Sequence, residues 1–182
     1  MIGKSRTLWR CVGMMLMIAA LSSCHTSKKA GQDRAQYDRG TLHVGSGDAM
    51  RRHIVDEAMT WVGTPYRYAG LEKGVGVDCS GMVMRVYDDA AGMKIPRNSA
   101  KQAEFCERLE PKDVALGDLV FFATGKDPER VSHVGIIVDD NHFVHASTSK
   151  GVTVSDISSP YYQRTFIMYG RVPAIAGNMA SN

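Results

Sequence analysis

Three side chains of this 182-residue sequence can together make and break a covalent bond: Cys79, His133 and His145. Cys79 sits in Asp78-Cys79-Ser80-Gly81 at the predicted start of a helix. Unpaired backbone N–H groups and the positive end of the helix dipole favour an anion there. A thiol so placed is expected to supply thiolate near neutral pH. Asp78 suits the N-cap, and Gly81 permits close approach of a second backbone or a substrate. The same tetrapeptide also suits an inert buried thiol beside a capping carboxylate. A thiolate nucleophile needs a base. The candidates are His133, which opens one predicted strand, and His145 in the next, although a lone strand histidine more often packs or faces solvent.

Strand geometry tests the pairing. Side chains alternate along strands, so the two histidines share a sheet face only in one hairpin parity. A three-residue loop, Asp139-Asp140-Asn141, pairs Val138 with His142 and sets Gly135 against His145, with His133 on the same face. Asn141 would then take the left-handed position. A two-residue loop would split the histidines across the sheet.

The elements that must position these residues read as helices first and strands second. Asp48–Val62 has Met50, Ile54, Ala58, Trp61 and Val62 at helical spacing, with Asp48 as N-cap. Gly63-Thr64-Pro65 ends it, and Tyr66–Val77 reads as a Gly-rich loop. Ser80–Ala91 is a second helix stopped by Gly92, and Ser99–Arg108 a shorter third. The β-rich runs Leu119–Ala123, His133–Val138, Asn141–Ser147, Gly151–Ser155 and Phe166–Val172 follow, separated by Gly, Asp and Asn. This order predicts an α+β domain with an antiparallel meander of about five strands.

The charge excess has a local origin. The chain holds 22 Lys+Arg against 19 Asp+Glu. Lys4, Arg6 and Arg10 supply the whole difference of +3. They precede the apolar run Cys11–Leu21, about half of the roughly 20 residues a spanning helix needs. A basic segment followed by a short apolar one is the pattern of a secretory signal. After Cys24 the chain is formally neutral, so electrostatics point to no nucleic-acid partner. Leu21-Ser22-Ser23-Cys24 resembles the bacterial lipobox, which implies cleavage before Cys24 and lipidation of its thiol. The expected organisation is a signal peptide over 1–23, a lipidated Cys24 with a polar tether to residue 47, a domain over 48–174 and a frayed tail over 175–182.

Six motif blocks, in order, resemble the NlpC-type family of papain-like cell-wall cysteine peptidases. They are Gly63-Thr64-Pro65-Tyr66-Arg67-Tyr68-Ala69-Gly70, Asp78-Cys79-Ser80-Gly81, Ile95-Pro96-Arg97-Asn98-Ser99 with Gln102, Gly117-Asp118-Leu119-Val120-Phe121-Phe122, His133-Val134-Gly135-Ile136 and Phe143-Val144-His145-Ala146-Ser147. Ala69 stands where the family usually has Gly. The resemblance implies a papain-like core with Cys79 as nucleophile, His133 as base and His145 as the orienting third residue, with Tyr66 beside the thiolate. It implies hydrolysis of peptidoglycan stem peptides, at D-Glu–diamino-acid or D-Ala–diamino-acid bonds, through an acyl-enzyme. The Cys79 N–H would hold the oxyanion, with the Tyr66 hydroxyl a candidate second donor. Asp78 and Ser80 would either reach the substrate amine or stem carboxylates or serve only as helix caps.

Two other enzymatic or binding roles fit the same scaffold: a thiol acyltransferase or transpeptidase, and a non-catalytic wall-binding lipoprotein. A zinc site from Cys79, His133 and His145 lacks a close-spaced ligand pair, so no metal or cofactor is expected. Arg97 reads as an exposed salt-bridge partner. Cys106, on the third predicted helix, reads as a half-buried apolar residue, and both Cys79 and Cys106 as free thiols. The expected protein is a monomer held at the membrane through lipid on Cys24, facing the periplasm from the outer membrane if the source is Gram-negative.

Overall fold

A computed structural model describes residues 48–173; the expected signal peptide, Cys24, its tether and the C-terminal tail lie outside the described residues. None of the described helices is long and apolar enough to cross a membrane.

Helix α1 (Asp48–Met59) buries Ile54, Val55 and Ala58, the side its apolar spacing marks. It ends three residues earlier than expected, because the chain tightens there. The amides of Thr60, Trp61 and Val62 donate to carbonyls three residues back. The Gly-rich segment that follows is not wholly loop. Strands β1 (Leu71–Glu72) and β2 (Gly76–Val77) form a small antiparallel hairpin. Helix α2 (Cys79–Ala91) then buries Met82, Val83, Val86, Tyr87 and Ala90. Asp78 caps its start, accepting a hydrogen bond from the Gly81 amide, and Gly92 closes it at φ 64°.

Helix α3 spans only Ser99–Phe105. The expectation of a helix to Arg108 fails, since Cys106 is extended (φ −83°, ψ 148°) and Glu107–Leu109 forms β3. β3 owes its pairing to a distant partner, β8 (Phe166–Arg171), against which Glu107 sits opposite Arg171. A three-residue edge strand carries no period of its own.

β3 makes the main sheet six-stranded rather than five. The strands β4 (Leu119–Phe122), β5 (His133–Ile137), β6 (His142–Ser147) and β7 (Gly151–Asp156) form the expected antiparallel meander. β8 returns to the other side of β4, giving the order β3-β8-β4-β5-β6-β7. Helices α1 and α2 cover one face over Leu119, Phe121, Val134, Ile136, Val144 and Ala146. The opposite face buries Val120, Phe122, Ile137 and Phe143 under Ile157 and Tyr162, the latter from helix α4 (Pro160–Thr165), an element without a sequence signal. Burial on both faces explains why β4 and β5 read as continuous apolar runs rather than alternating ones.

The β5–β6 hairpin has the predicted three-residue loop. Ile137 pairs with Phe143, and the Val138 amide donates to the His142 carbonyl. Asn141, however, does not adopt a positive φ. The Asp139 carboxylate takes over that turn, accepting from the Asn141 and His142 amides at 2.8 Å each. A side-chain acceptor two residues back bends the chain without a left-handed residue.

A buried charge network ties the helices to the sheet. Asp118 accepts from Arg51 at 2.8 Å, and from Arg171 Nε and Nη2 at 3.0 and 2.7 Å. The side chains of Arg51 and Asp118 are 1% and 0% exposed.

Candidate active site

Cys79 is the first residue of α2 and is 9% exposed. Backbone N–H groups of Val134, Ser80 and Cys79 itself lie near enough to its sulfur to favour the thiolate. Val134 follows His133 on β5, so the thiol meets the sheet at the start of the strand that His133 opens.

The expectation of a thiolate near neutral pH is not met. Burial, and then the neighbouring charge of Asp78, push the Cys79 thiol up to about 11, against the lowering effect of the amides. A helix start favours the anion, but removing the thiol from water costs more. Burial alone lowers His133 to about 4. The thiol and the imidazole are therefore each neutral at pH 7.

His133 and His145 meet on the sheet face turned away from α1 and α2. His133 Nε2 lies 2.8 Å from His145 Nδ1, with the rings edge to face. His133 Nδ1 is thus the ring nitrogen that His145 leaves free. His145 is fully buried and stacks on Phe143 at 4.8 Å. Burial, then His133, then Lys150 lower its pKa well below the usual histidine value.

Tyr66 bridges in parallel to Val77 beside α2. Burial, then the nearby Cys79 and Asp78, raise its pKa, which keeps the phenol a proton donor.

Asp78 does more than cap. Its Oδ1 accepts from the Gly81 amide at 2.7 Å, Ser80 Oγ at 3.2 Å and Arg97 Nη1 at 2.9 Å. Its Oδ2 accepts from the Ala69 amide at 2.9 Å and Arg97 Nη2 at 2.7 Å. Burial pushes this carboxyl up, but Arg97 and the Gly81 amide outweigh it and hold it below its ordinary value. Five donors fill a carboxylate with about four good acceptor positions. Arg97 is the expected salt-bridge partner, and the pair it makes is bidentate. Ser80 Oγ also accepts from Arg97 at 3.0 Å, and Gln102 Nε2 donates to the Ser80 carbonyl at 3.0 Å. These bonds fix the first turn of α2 to Ala69, ahead of β1, and to Arg97 and Gln102. A Cβ on Gly81 would sit 2.5 Å from the Gly70 carbonyl oxygen, so the close approach foreseen there is to backbone.

Sequence reasoning missed two hydroxyls. Ser155 Oγ and Tyr162 OH lie 3.0 and 3.1 Å from His145 Nε2. Ser155 was traceable in principle, since β7 places it two residues from Thr153, which faces His145. Both hydroxyls line a cavity of about 520 Å³ beside the two histidines, with Lys150 and Ser147 at its rim. Cys106 lies apart from this constellation and is a free thiol like Cys79. Burial, then Asp118 and Glu107, raise it to about 12.

Comparison with known proteins agrees with the geometry. Over 117 residues the chain is 41% identical to the probable endopeptidase NlpC of Escherichia coli K12, covering 64% of this chain and 75% of that protein. It is 37% identical over 147 residues to the E. coli K12 murein DD-endopeptidase MepS/murein LD-carboxypeptidase, covering 81% and 73%. A crystal structure of a lipoprotein-like NLP/P60 protein from Staphylococcus aureus superposes with a TM-score of 0.63 at 32% identity, covering 74% of this chain and 44% of that one. Residues 63–171 match the profile of the NlpC/P60 family, and the chain belongs to that family.

Proposed function

We propose that this domain is a thiol-dependent peptidoglycan endopeptidase that hydrolyses amide bonds of stem peptides, with Cys79 as nucleophile, His133 as base and His145 as the residue that orients it. The observation that carries the reading is the 2.8 Å contact between His133 Nε2 and His145 Nδ1, on the strand whose Val134 amide meets the Cys79 sulfur. The relatives named murein endopeptidase and endopeptidase support the substrate class.

The neutral resting pair shapes the mechanism. As Sγ attacks the carbonyl carbon, His133 Nδ1 takes the thiol proton, so charge develops only as the C–S bond forms. The tetrahedral oxyanion is held by the Cys79 amide and by the Tyr66 hydroxyl. His133 then gives its proton to the leaving amine, which departs and leaves a thioester. Water, losing a proton to His133, opens the thioester and restores the thiol. Asp78 and Ser80 serve this chemistry by locking the start of α2. A substrate amine that reached Asp78 would have to displace one of its five donors.

The leader pattern supports a mature chain that begins at a lipidated Cys24, with residues to 47 as a tether and the domain in the cell envelope. More than one acyl chain on Cys24 suffices for stable attachment. Labelling with a clickable fatty acid tests this, and label that survives Cys24→Ala contradicts it.

Digestion of purified disaccharide-peptides, monomeric and crosslinked, followed by mass spectrometry, tests the activity. Hydrolysed stem peptides are expected. Intact stems in every substrate overturn the reading, and transfer to an added amine that outruns hydrolysis replaces it with an acyltransferase.

A further inference from the structure

His145 can keep His133 reactive only if its own ring proton sits on the correct nitrogen. One proton lies between His133 Nε2 and His145 Nδ1. For His133 Nδ1 to accept the Cys79 proton, His133 Nε2 must carry the shared proton and donate it to a bare His145 Nδ1. A neutral His145 then carries its proton on Nε2. In the other tautomer His145 donates from Nδ1, a neutral His133 carries its proton on Nδ1, and no lone pair faces the thiol. The groups at His145 Nε2 therefore decide whether the pair is active.

Two hydroxyls stand there and, among the described residues, no carboxylate. Ser155 Oγ is at 3.0 Å, from β7, and Tyr162 OH is at 3.1 Å, from α4. The nearby Asp156 carboxylate accepts from the Ser158 amide instead. Tyr162 packs edge-on against both Phe143 and His145, which fixes its hydroxyl in place. A hydroxyl oxygen accepts one proton while passing its own to another partner. Both hydroxyls border the 520 Å³ cavity, which is polar and roomy enough for water to take those protons.

We propose that Ser155 and Tyr162 are positioning residues that jointly accept the Nε2 proton of His145, and through it keep His133 Nδ1 bare toward Cys79. The assignment rests on the catalytic reading of Cys79, His133 and His145. Its reach extends one step beyond that triad, to a relay that ends in two hydroxyls rather than in a charge.

Nitrogen-15 spectra of full-chain protein labelled at histidine read the tautomer directly. At pH 7, His145 should show a protonated Nε2 and a bare Nδ1; a proton on Nδ1 overturns the proposal. In kinetics, the Ser155→Ala/Tyr162→Phe double variant should lose about tenfold or more in kcat with KM unchanged, the cost of an unsatisfied buried donor. Ser155→Thr/Tyr162→Phe, which keeps one hydroxyl, should recover most of the kcat that the double variant loses. A folded double variant with wild-type kcat overturns the proposal, and should that variant fail to fold, the wild-type spectrum still decides. Protein that hydrolyses no stem peptide sinks the catalytic reading, yet leaves the tautomer measurable.

Discussion

Gly135 lies across the β5–β6 ladder from His145, and its missing side chain leaves room for the Phe143 ring on which His145 stacks. His133 and His145 are diagonal rather than directly opposite across this ladder, and their rings meet at 2.8 Å. A Cβ there would strike the Phe143 ring, sit 2.9 Å from the Val144 carbonyl oxygen and come 3.2 Å from His145 Cβ. Gly135→Ala should therefore lose about 1–3 kcal/mol of stability, the usual cost of overpacking. It should also lower kcat more than it raises KM. Denaturant unfolding and steady-state kinetics check both, and an Ala variant unchanged in each removes this role from Gly135.

Ala69 is the one non-glycine residue with positive φ among the described residues, at 59°. Its amide donates to Asp78 Oδ2, so the strained position lies next to the cap of α2. An L side chain in this region costs roughly 1–2 kcal/mol, part of which glycine gives back through its freer unfolded chain. Ala69→Gly should raise stability by about 0.5–1 kcal/mol with catalysis intact. A less stable Gly variant in thermal or urea unfolding would contradict it.

Stability should depend on the half-buried His133 and the buried His145. His133 folds with its pKa lowered to about 4, and His145 with its own well below the usual histidine value. Between pH 6.5 and 4 the unfolded chain binds protons that the folded one refuses, so stability rises with pH across this window and is lost on acidification. For His133 the loss from pH 7 to pH 5 is about 2 kcal/mol, with His145 adding in the same direction. Urea unfolding at both pH values measures it, and His133→Asn should flatten the slope. A slope equal in variant and wild type excludes His133 as its source.

Asp118 belongs to a motif of the family, yet its surroundings make it structural. Asp118→Asn would leave the buried Arg51 and the largely buried Arg171 facing a neutral amide. Breaking such a network costs about 3–5 kcal/mol. Whatever fraction remains folded should keep its KM. An Asn variant with wild-type stability would show that the two arginines need no counter-charge.

The sequence carried the site further than it carried the fold around it. The caps of α2 were legible because Asp78 and Gly92 act locally, and the hairpin register was legible because only one parity brings His133 and His145 together. The turn chemistry was not, since Asp139 and Asn141 are both able to bend that loop and only the carboxylate does. β3 was hidden because its pairing comes from β8, more than fifty residues away in the chain. The acidity of Cys79 was misread for the same kind of reason. A helix start is visible in sequence, whereas the burial that raises the thiol to about 11 belongs to the packed domain. Tyr162 reached the site from a six-residue helix with no periodic signal.

The most direct test of the account is the mass of the Cys79-containing peptide after rapid acid quench during turnover of a purified stem peptide. The account predicts a thioester adduct carrying the acyl half of the substrate on Cys79, and neither adduct nor hydrolysis in Cys79→Ala. Hydrolysis that continues in Cys79→Ala, with no adduct on the wild-type thiol, would contradict it.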